Sequence, residues 1–120
     1  MEDIKTAVIL AGGRGTRFSE YTKTIPKPMI EAKGKPLLIH IINIYKLQGI
    51  SNFYILTGYK SEVIENYFRS IFNETSENKF EISEDVFVNI LNTGIETMTG
   101  GRVKQVINYI DEDLFYLTYG

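Results

Sequence analysis

The sequence predicts an α/β protein with an open, mostly parallel β-sheet and helices on both of its faces. Short, continuously apolar segments, typical of strands buried on both sides, alternate with segments of helical periodicity. Glycines follow two of the apolar segments directly, at Gly12 and Gly58, where a parallel strand would turn toward a helix. We therefore expect right-handed βαβ units, with a ligand site beyond the carboxyl ends of the strands.

The first half of the chain contains one predicted strand, one long loop and one helix. The strand is expected at residues 6–11, and the glycine-, threonine- and proline-rich loop at residues 12–28. Pro36 suits the first position of the helix, because its missing N–H has no partner there in any case. Apolar residues then recur with helical spacing up to Leu47, and Gly49 suits the C-terminal end.

The second half repeats this alternation. A strand is expected at residues 53–57, and Ser61 is expected to cap the helix that follows. The polar residues 73–78 are predicted to form a loop. The pair Gly100-Gly101 is expected to precede a short helix that ends near residue 110. Further strands, the last of them buried, are expected at residues 80–82, 86–91 and 114–118.

The composition limits the class of protein. A length of 120 residues predicts one domain or part of one, and a hydrophobic share of 43% argues against disorder. The absence of cysteine excludes disulfides and thiolate metal sites. A net charge of -2 does not suggest nucleic acid or an acidic membrane as a partner. No segment resembles a signal peptide or a membrane span. A cytoplasmic protein is expected, and the absence of cysteine is compatible with that reducing compartment.

A glycine-rich segment directly after the first strand is the strongest candidate for a binding site. Its glycines allow the backbone to approach a ligand closely and to direct N–H groups at phosphate or at the edge of a base. Arg17 can donate two hydrogen bonds to phosphate oxygens. The segment is not a dinucleotide-binding fingerprint, because Phe18 occupies the place of the third glycine, and it lacks the Gly-Lys-Ser/Thr of a P-loop. The alternative is an ordinary glycine turn.

Lys27 is the second candidate, because it lies between Pro26 and Pro28. Each proline fixes its own φ and restricts the residue before it, which predicts a stiff, extended segment. A cation held in this way can stabilise charge on a transferred phosphoryl group without reorganisation. The alternative is a solvated lysine on a rigid surface loop.

Together these segments resemble the signature of sugar-1-phosphate nucleotidyltransferases. The two parts of the signature are Ala11 to Arg17 and Pro26 to Pro28, and Gly34 to Pro36 also matches. Residues 92–104 resemble the corresponding part of glucose-1-phosphate cytidylyltransferases, which implies that Thr97 and Arg102 contact the nucleotide or the sugar phosphate. Independently of this resemblance, a helix that begins near Gly100-Gly101 would favour an anion at its N-terminus.

The resemblance implies a Rossmann-like domain, of which residues 1–120 would be the N-terminal, nucleotide-binding part. It implies catalytic roles for Arg17 and Lys27, and an aspartate that binds Mg²⁺ immediately after Gly120, so that no metal ligand lies within the chain. Lys27 would also bind the nucleotide or substrate, together with Leu10, Ala11, Gly12, Gly13, Arg14, Gly15, Thr16, Arg17, Thr97, Arg102 and Gly120.

The reaction implied by the resemblance converts CTP and glucose 1-phosphate into CDP-glucose and pyrophosphate, with Mg²⁺ as cofactor of the full-length enzyme. Because the sugar phosphate is already an anion, the reaction needs alignment and charge neutralisation rather than a general base. Residues 1–120 alone are expected to show little or no turnover. The expected partners are the two substrates and further copies of the same chain in a homo-oligomer, with neither nucleic acid nor membrane among them.

Three alternatives remain open from the sequence. The first is a nucleotidyltransferase with another base specificity, thymidylyl or guanylyl, and the second is a non-catalytic module that binds nucleotide or sugar phosphate. The third is a structural α/β interaction domain in which the glycine loop and Pro-Lys-Pro have no ligand. The single histidine, His40, lies within a predicted helix and is expected to be packed or half-exposed without a catalytic role.

Overall fold

The computed structural model describes residues 4–12, 25–94, 99–110 and 115–119. Within these ranges the strands are β1 (Thr6–Leu10), β2 (Glu31–Ala32), β3 (Lys35–Pro36), β4 (Asn52–Thr57), β5 (Asn73–Ser76), β6 (Lys79–Ser83), β7 (Val86–Asn92) and β8 (Tyr116–Tyr119). The helices are α1 (Leu37–Leu47), α2 (Ser61–Ile71) and α3 (Thr99–Val106), and short 3-10 turns occupy Lys27–Met29 and Ile107–Tyr109.

Six of the strands form one mixed sheet in the order β5-β6-β7-β4-β1-β8. The four strands β7, β4, β1 and β8 are parallel, and β5 and β6 extend the sheet as antiparallel strands beside β7. The small β2–β3 hairpin is a separate two-stranded sheet. The predicted open, mostly parallel sheet is therefore confirmed, and the carboxyl ends of its parallel strands meet at one edge.

Strand β1 explains how helices cover both faces of the sheet. Its successive side chains point to opposite faces. Ala7 and Ile9 belong to the larger core, which α1 and α2 cover, whereas Val8 and Leu10 belong to a smaller core that includes Val106 of α3. Both faces are therefore apolar, which is why the segment reads as one continuous hydrophobic run.

Helix α1 begins and ends close to the predicted residues. Pro36 occupies the N-cap, one residue before the predicted position, and Leu38 and Ile42 are buried against the sheet. Gly49 lies two residues beyond the last helical residue and has φ +93°, a conformation that glycine adopts without strain. His40 is half-buried, and its Nε2 lies 2.6 Å from the carbonyl oxygen of Ala32. The expectation that His40 is packed or half-exposed within a helix is thus confirmed.

The start of each later helix differs from the prediction. Ser61 is the first residue of α2 rather than its N-cap, and Lys60 precedes it in the left-handed region with φ 51°. The Ser61 hydroxyl contacts side chains on Thr57 and Glu65 instead of a backbone amide. Helix α3 begins at Thr99 and so includes the glycine pair that was expected to precede it.

The predicted loop at residues 73–78 is instead largely a strand. Residues Asn73–Ser76 form β5, an exposed antiparallel strand beside β6. Its polar sequence shows no apolar alternation because neither face reaches the core. Glu74 accepts a hydrogen bond from Arg69 Nε at 3.1 Å, which ties the β5–β6 hairpin to α2. Glu74 also accepts from the backbone N–H of Asn78 at 2.8 Å, within the turn that joins β5 and β6.

Strand β8 occupies the end of the described sheet, and the prediction that it is buried is wrong. It pairs in parallel with β1. Tyr116, Leu117 and Tyr119 expose 40%, 48% and 69% of their surface. Side chains of a strand point to the two faces of the sheet, so apolar residues are buried only where other elements cover those faces, and the described residues cover β8 incompletely.

Candidate functional site

Three glycines follow neighbouring parallel strands and lie at the same edge of the sheet. Gly12 comes two residues after β1, Gly58 directly follows β4, and Gly94 comes two residues after β7. The backbone N–H of Tyr59 donates to the carbonyl oxygen of Gly12 at 3.3 Å, which ties two of these strand ends together. Open α/β sheets bind their ligands at this edge.

The side chain of Arg102, on α3, reaches all three strand ends. Its Nη1 donates toward the carbonyl oxygen of Thr57 at 3.1 Å, the hydroxyl of Thr93 at 2.6 Å and the carbonyl oxygen of Gly94 at 2.8 Å. Its Nη2 donates to the carbonyl oxygen of Gly12 at 3.3 Å. Only 6% of Arg102 is exposed, so the guanidinium is held within the protein by the ends of β1, β4 and β7.

Burial has an electrostatic consequence for Arg102. Loss of solvation lowers the pKa of the guanidinium from its ordinary value, although an arginine remains protonated in proteins. The four acceptors described above are uncharged, so hydrogen bonding to oxygen dipoles stabilises the buried cation. The predicted contact of Arg102 with a phosphate stays a prediction.

Two of the strand-end glycines are required by the space around this guanidinium. A Cβ atom at Gly12 would lie 2.2 to 2.9 Å from three atoms of the Arg102 guanidinium. A Cβ atom at Gly58 would lie 2.6 Å from the carbonyl oxygen of Gly94 and 2.8 Å from Arg102 Nη1. Van der Waals contact needs a much larger separation. Glycine at these positions therefore permits the close approach of α3 to the sheet.

A second set of hydrogen bonds fixes the turn between β4 and α2. The hydroxyl of Thr57 lies 2.6 Å from that of Ser61, and the Thr57 hydroxyl also donates to the carbonyl oxygen of Leu91 at 3.2 Å. The Ser61 hydroxyl donates to Glu65 at 2.5 Å. Thr57 and Ser61 are almost completely buried, so this polar cluster holds the end of β4 against both β7 and α2.

Lys27 lies on a rigid turn rather than on the fully extended segment that its flanking prolines predict. Pro26 is extended, with ψ 149°, but Lys27–Met29 form a 3-10 turn closed by a 2.9 Å bond from Met29 N–H to Pro26 O. Pro28 and Met29 are buried, and Met29 joins the same core as Ala11. Core burial thus overrides the bias that a following proline imposes on Lys27. Lys27 itself is half-buried.

The structure brings part of the predicted site together. Leu10, Ala11 and Gly12 lie with Arg102 at the edge formed by the ends of β1 and β4. Apart from Lys27, the remaining predicted residues lie outside the described ranges, so their roles stay predictions: Gly13, Arg14, Gly15, Thr16, Arg17, Thr97 and Gly120. The predicted proximity of Arg17 and Lys27 is for the same reason untested.

Several residues of this edge were not found from the sequence. Thr57, Thr93 and Gly94 supply acceptors for Arg102, and Gln105 Nε2 donates to the carbonyl oxygen of Thr93 at 3.1 Å. The sequence placed Gly58 at the end of a strand without assigning it a role in binding. The sequence signal that could have found these residues is position, because four of them lie at or just beyond the end of a parallel strand: Thr57, Gly58, Thr93 and Gly94.

The described residues do not supply a metal site. Within residues 4–12, 25–94, 99–110 and 115–119, no group of three or more histidine, aspartate or glutamate side chains is arranged to hold an ion. In the same ranges, no helix has the length and apolar character needed to cross a bilayer.

Comparison with protein families identifies the fold. Residues 6–116 match the family model described as nucleotidyl transferase. The chain belongs to the nucleotidyl transferase family. This nucleotidyl transferase chain is 44% identical, over 126 aligned residues and 95% of its own length, to the glucose-1-phosphate cytidylyltransferase of Salmonella typhimurium. It is 42% identical, also over 95% of its length, to the probable glucose-1-phosphate cytidylyltransferase of Bacillus subtilis.

Solved structures of similar proteins agree with the architecture. HddC from Yersinia pseudotuberculosis, solved in complex with GMP-PN, superimposes with a TM-score of 0.75 and 26% sequence identity. The match covers 97% of this nucleotidyl transferase chain and 47% of HddC. The chain likewise covers 49% of each of the two cytidylyltransferase relatives. It therefore spans about half the length of the curated relatives it matches.

Proposed function

We propose that the whole protein is a glucose-1-phosphate cytidylyltransferase, which converts CTP and glucose 1-phosphate into CDP-glucose and pyrophosphate. Membership of the nucleotidyl transferase family supports the reaction class. Identities of 44% and 42% to proteins named as cytidylyltransferases support the base and the sugar. The observation that carries the proposal is the strand edge at which Gly12, Gly58 and Gly94 surround the Arg102 guanidinium, because this is where open α/β sheets bind nucleotides.

The proposed reaction is a direct displacement at the α-phosphorus of CTP. An oxygen of glucose 1-phosphate forms the new P–O bond, the bond between the α-phosphorus and the bridging oxygen breaks, and pyrophosphate leaves. The attacking phosphate is already ionised, so no proton has to be removed from it at neutral pH. The protein contributes alignment of the two substrates and stabilisation of the charge that develops on the transferred group.

In this proposal, backbone amides of residues 12–16 hold the base and the triphosphate, and Arg17 binds the phosphates that leave. Lys27 stabilises charge on the α-phosphate. The surroundings of Lys27 support this role, because Pro26 and Pro28, which flank it, are buried, and Met29 belongs to the same core cluster as Ala11. Because the turn already fixes the backbone of Lys27, binding of a phosphate costs no further backbone entropy there. Thr97 is proposed to contact the nucleotide or the sugar phosphate.

The proposal extends to the surroundings of the whole protein. Mg²⁺ is the proposed cofactor of the full-length protein, and it would neutralise charge on the nucleotide phosphates. A homo-oligomer in the cytoplasm is also proposed. Mass measured by light scattering over a range of concentrations tests the oligomer.

The deciding experiment measures pyrophosphate release by the full-length protein. Glucose 1-phosphate and Mg²⁺ are held constant, and CTP is compared with UTP, dTTP and GTP. We expect CTP to support the fastest turnover. Binding of CTP without release of pyrophosphate would indicate a non-catalytic module, and preference for another nucleotide would overturn the assigned base.

Lys27→Ala tests the catalytic role within the same assay. Loss of one preorganised charge at a developing anion lowers kcat by about 10²- to 10³-fold. Lys104→Ala, which removes an exposed lysine on α3, is the control and should leave kcat within about twofold of the parent value. Turnover of Lys27→Ala equal to that of the control would remove Lys27 from the mechanism.

A further inference from the structure

The turn between β4 and α2 places a lysine at the same edge of the sheet as the candidate site. The turn runs from Gly58 to Ser61 and is closed by a 3.1 Å hydrogen bond from the Ser61 N–H to the Gly58 carbonyl oxygen. Within it, the backbone N–H of Tyr59 donates to the carbonyl oxygen of Gly12 at 3.3 Å. Lys60 is the next residue, so it directly follows the contact that joins the ends of β1 and β4.

Lys60 adopts a backbone conformation that its residue type rarely takes. Its φ is 51°, in the left-handed region, which is unfavourable for any residue with a Cβ atom. Three other non-glycine residues of the described ranges share this conformation, and each lies in the short turn of a β-hairpin, where a positive φ is usual: Lys33, Asn78 and Asp85. The turn before α2 joins a strand to a helix, so hairpin geometry does not explain Lys60. Glycine or asparagine would suit its position better.

The charge of Lys60 has no oppositely charged partner in the described part of the protein. None of the carboxylates there is in ion-pair contact with its ammonium group. The half-buried side chain instead places Nζ over the ring of Tyr59, 5.8 Å from the ring centroid, which fixes the ammonium without neutralising it. The charge does not stabilise α2 either, because a cation that directly precedes the first residue of a helix is electrostatically unfavourable there.

We infer that Lys60 is a further binding residue of the candidate site, and that its ammonium group contacts a phosphate group of a substrate. This role rests on the proposed function, because it takes the carboxyl edge of the sheet as the place where phosphorylated substrates bind. A phosphate supplies the negative charge that the described side chains do not, and so offsets the unfavourable conformation of Lys60. Lysine suits the task because its compact charge on a flexible stem approaches a phosphate oxygen without a fixed angle.

Three substitutions at residue 60 separate the charge from the backbone conformation. Lys60→Met keeps an unbranched stem and the left-handed strain but removes the charge. Lys60→Gly removes both the charge and the strain, and Lys60→Arg keeps both. Each variant of the full-length protein is compared with the parent by its melting temperature, its dissociation constant for CTP and its KM for glucose 1-phosphate.

Loss of the charge should weaken substrate binding whatever the backbone does. Lys60→Met and Lys60→Gly should both raise the dissociation constant for CTP, or the KM for glucose 1-phosphate, about tenfold, the effect of losing one hydrogen bond between charged groups. Lys60→Arg should bind the substrate more tightly than Lys60→Met does. An effect on CTP assigns the nucleotide phosphates to Lys60, and an effect on glucose 1-phosphate assigns the sugar phosphate. Parent-like values for both substrates in Lys60→Met would overturn the inference.

The melting temperature should move in the opposite direction from affinity. Lys60→Gly should raise it by about 2 °C, because relief of the left-handed conformation exceeds the additional chain entropy of glycine. A lysine that served only the structure of the turn would lose stability and affinity together. A lower melting temperature combined with weaker binding in Lys60→Gly would therefore indicate a structural role and contradict the inference.

Lys33→Gly is the matched control for Lys60→Gly. Lys33 is exposed in the β2–β3 turn and has φ 53°, so its substitution removes the same charge and the same strain. The melting temperature should rise by a similar amount, while binding of both substrates should stay as in the parent. A loss of affinity equal to that of Lys60→Gly would mean that net charge governs binding, and the specific role of Lys60 would then be refuted.

Failure of the proposed function gives a different pattern. A parent protein that binds neither CTP nor glucose 1-phosphate would refute that function. Pyrophosphate, a probe that consists of phosphate groups alone, then tests Lys60 directly. A dissociation constant for pyrophosphate about tenfold higher in Lys60→Met than in the parent would support the phosphate contact, and equal affinity would overturn it.

Discussion

Replacing Thr93 by valine tests how strongly the strand ends depend on one buried hydroxyl. Valine has nearly the shape of threonine, so Thr93→Val removes the hydroxyl without leaving a cavity. In the structure this hydroxyl donates to the carbonyl oxygen of Thr57 at 2.8 Å and accepts from Arg102 Nη1 at 2.6 Å. Only 5% of Thr93 is exposed, so water cannot easily replace either contact.

The expected loss of stability follows from the two hydrogen bonds of the Thr93 hydroxyl. The neutral bond to Thr57 contributes about 1 kcal/mol, and the bond from a charged donor about 2 kcal/mol. Their loss should lower the free energy of unfolding by about 3 kcal/mol, because the additional methyl group of valine recovers little in a site lined by oxygen atoms. With a typical urea dependence of about 2–3 kcal/mol per molar, the midpoint of urea unfolding should fall by at least about 1 M.

The assay compares Thr93→Val with Thr93→Ser in the full-length protein, followed by circular dichroism in urea. Serine keeps the hydroxyl and loses only a methyl group, so its midpoint should lie closer to that of the parent protein. If Thr93→Val were as stable as Thr93→Ser, the hydroxyl would not support Arg102, and the energetic reasoning about this edge would be refuted.

Three further predictions concern the core, the surface and the cofactor. Phe68→Ala, at a residue with no exposed surface, should lower the free energy of unfolding by about 3–5 kcal/mol in urea, whereas Ile71→Ala, at a residue 51% exposed, should cost less than half as much. The backbone N–H of Asn78 and the charge of Arg69 lower the pKa of Glu74, so its stabilising effect is present above the ordinary glutamate pKa and is lost as pH falls through the lower folded value. NMR titration of Glu74 would contradict this if the pKa lay at or above its ordinary value, and Glu74→Gln should remove that pH dependence. Chelation of Mg²⁺ by EDTA should abolish pyrophosphate release by the full-length protein, and added Mg²⁺ should restore it; undiminished release in EDTA would rule out the proposed cofactor.

The fold was predictable to the extent that each segment's own residues decide its structure. The apolar run of β1 and the alternation of strands and helices predict the parallel sheet, and Pro36 and Gly49 mark the ends of α1. The polar strand β5 was not predictable in this way. Its hydrogen bonds and its contacts with α2 come from residues elsewhere in the chain, so its sequence carries no strand pattern.

The candidate site likewise has parts that the sequence predicts and parts that it does not. The glycine-rich segment and Lys27 stand out in the sequence because glycine and proline restrict or release the backbone locally. The contacts of Arg102 do not stand out in the sequence, because only the order of strands in the sheet brings Gly12, Thr57 and Thr93 beside it. A motif can thus predict that Arg102 matters without revealing which atoms it binds.

The sequence by itself determined the α/β class, the position of the glycine loop at the end of β1 and the resemblance to nucleotidyltransferases, because these depend on local pattern and motif. The tertiary structure alone decided that the Arg102 guanidinium is enclosed by three strand ends and that Gly12 and Gly58 leave room for it. The reason is physical: burial, volume exclusion and hydrogen bonds between distant residues exist only after the sheet has assembled.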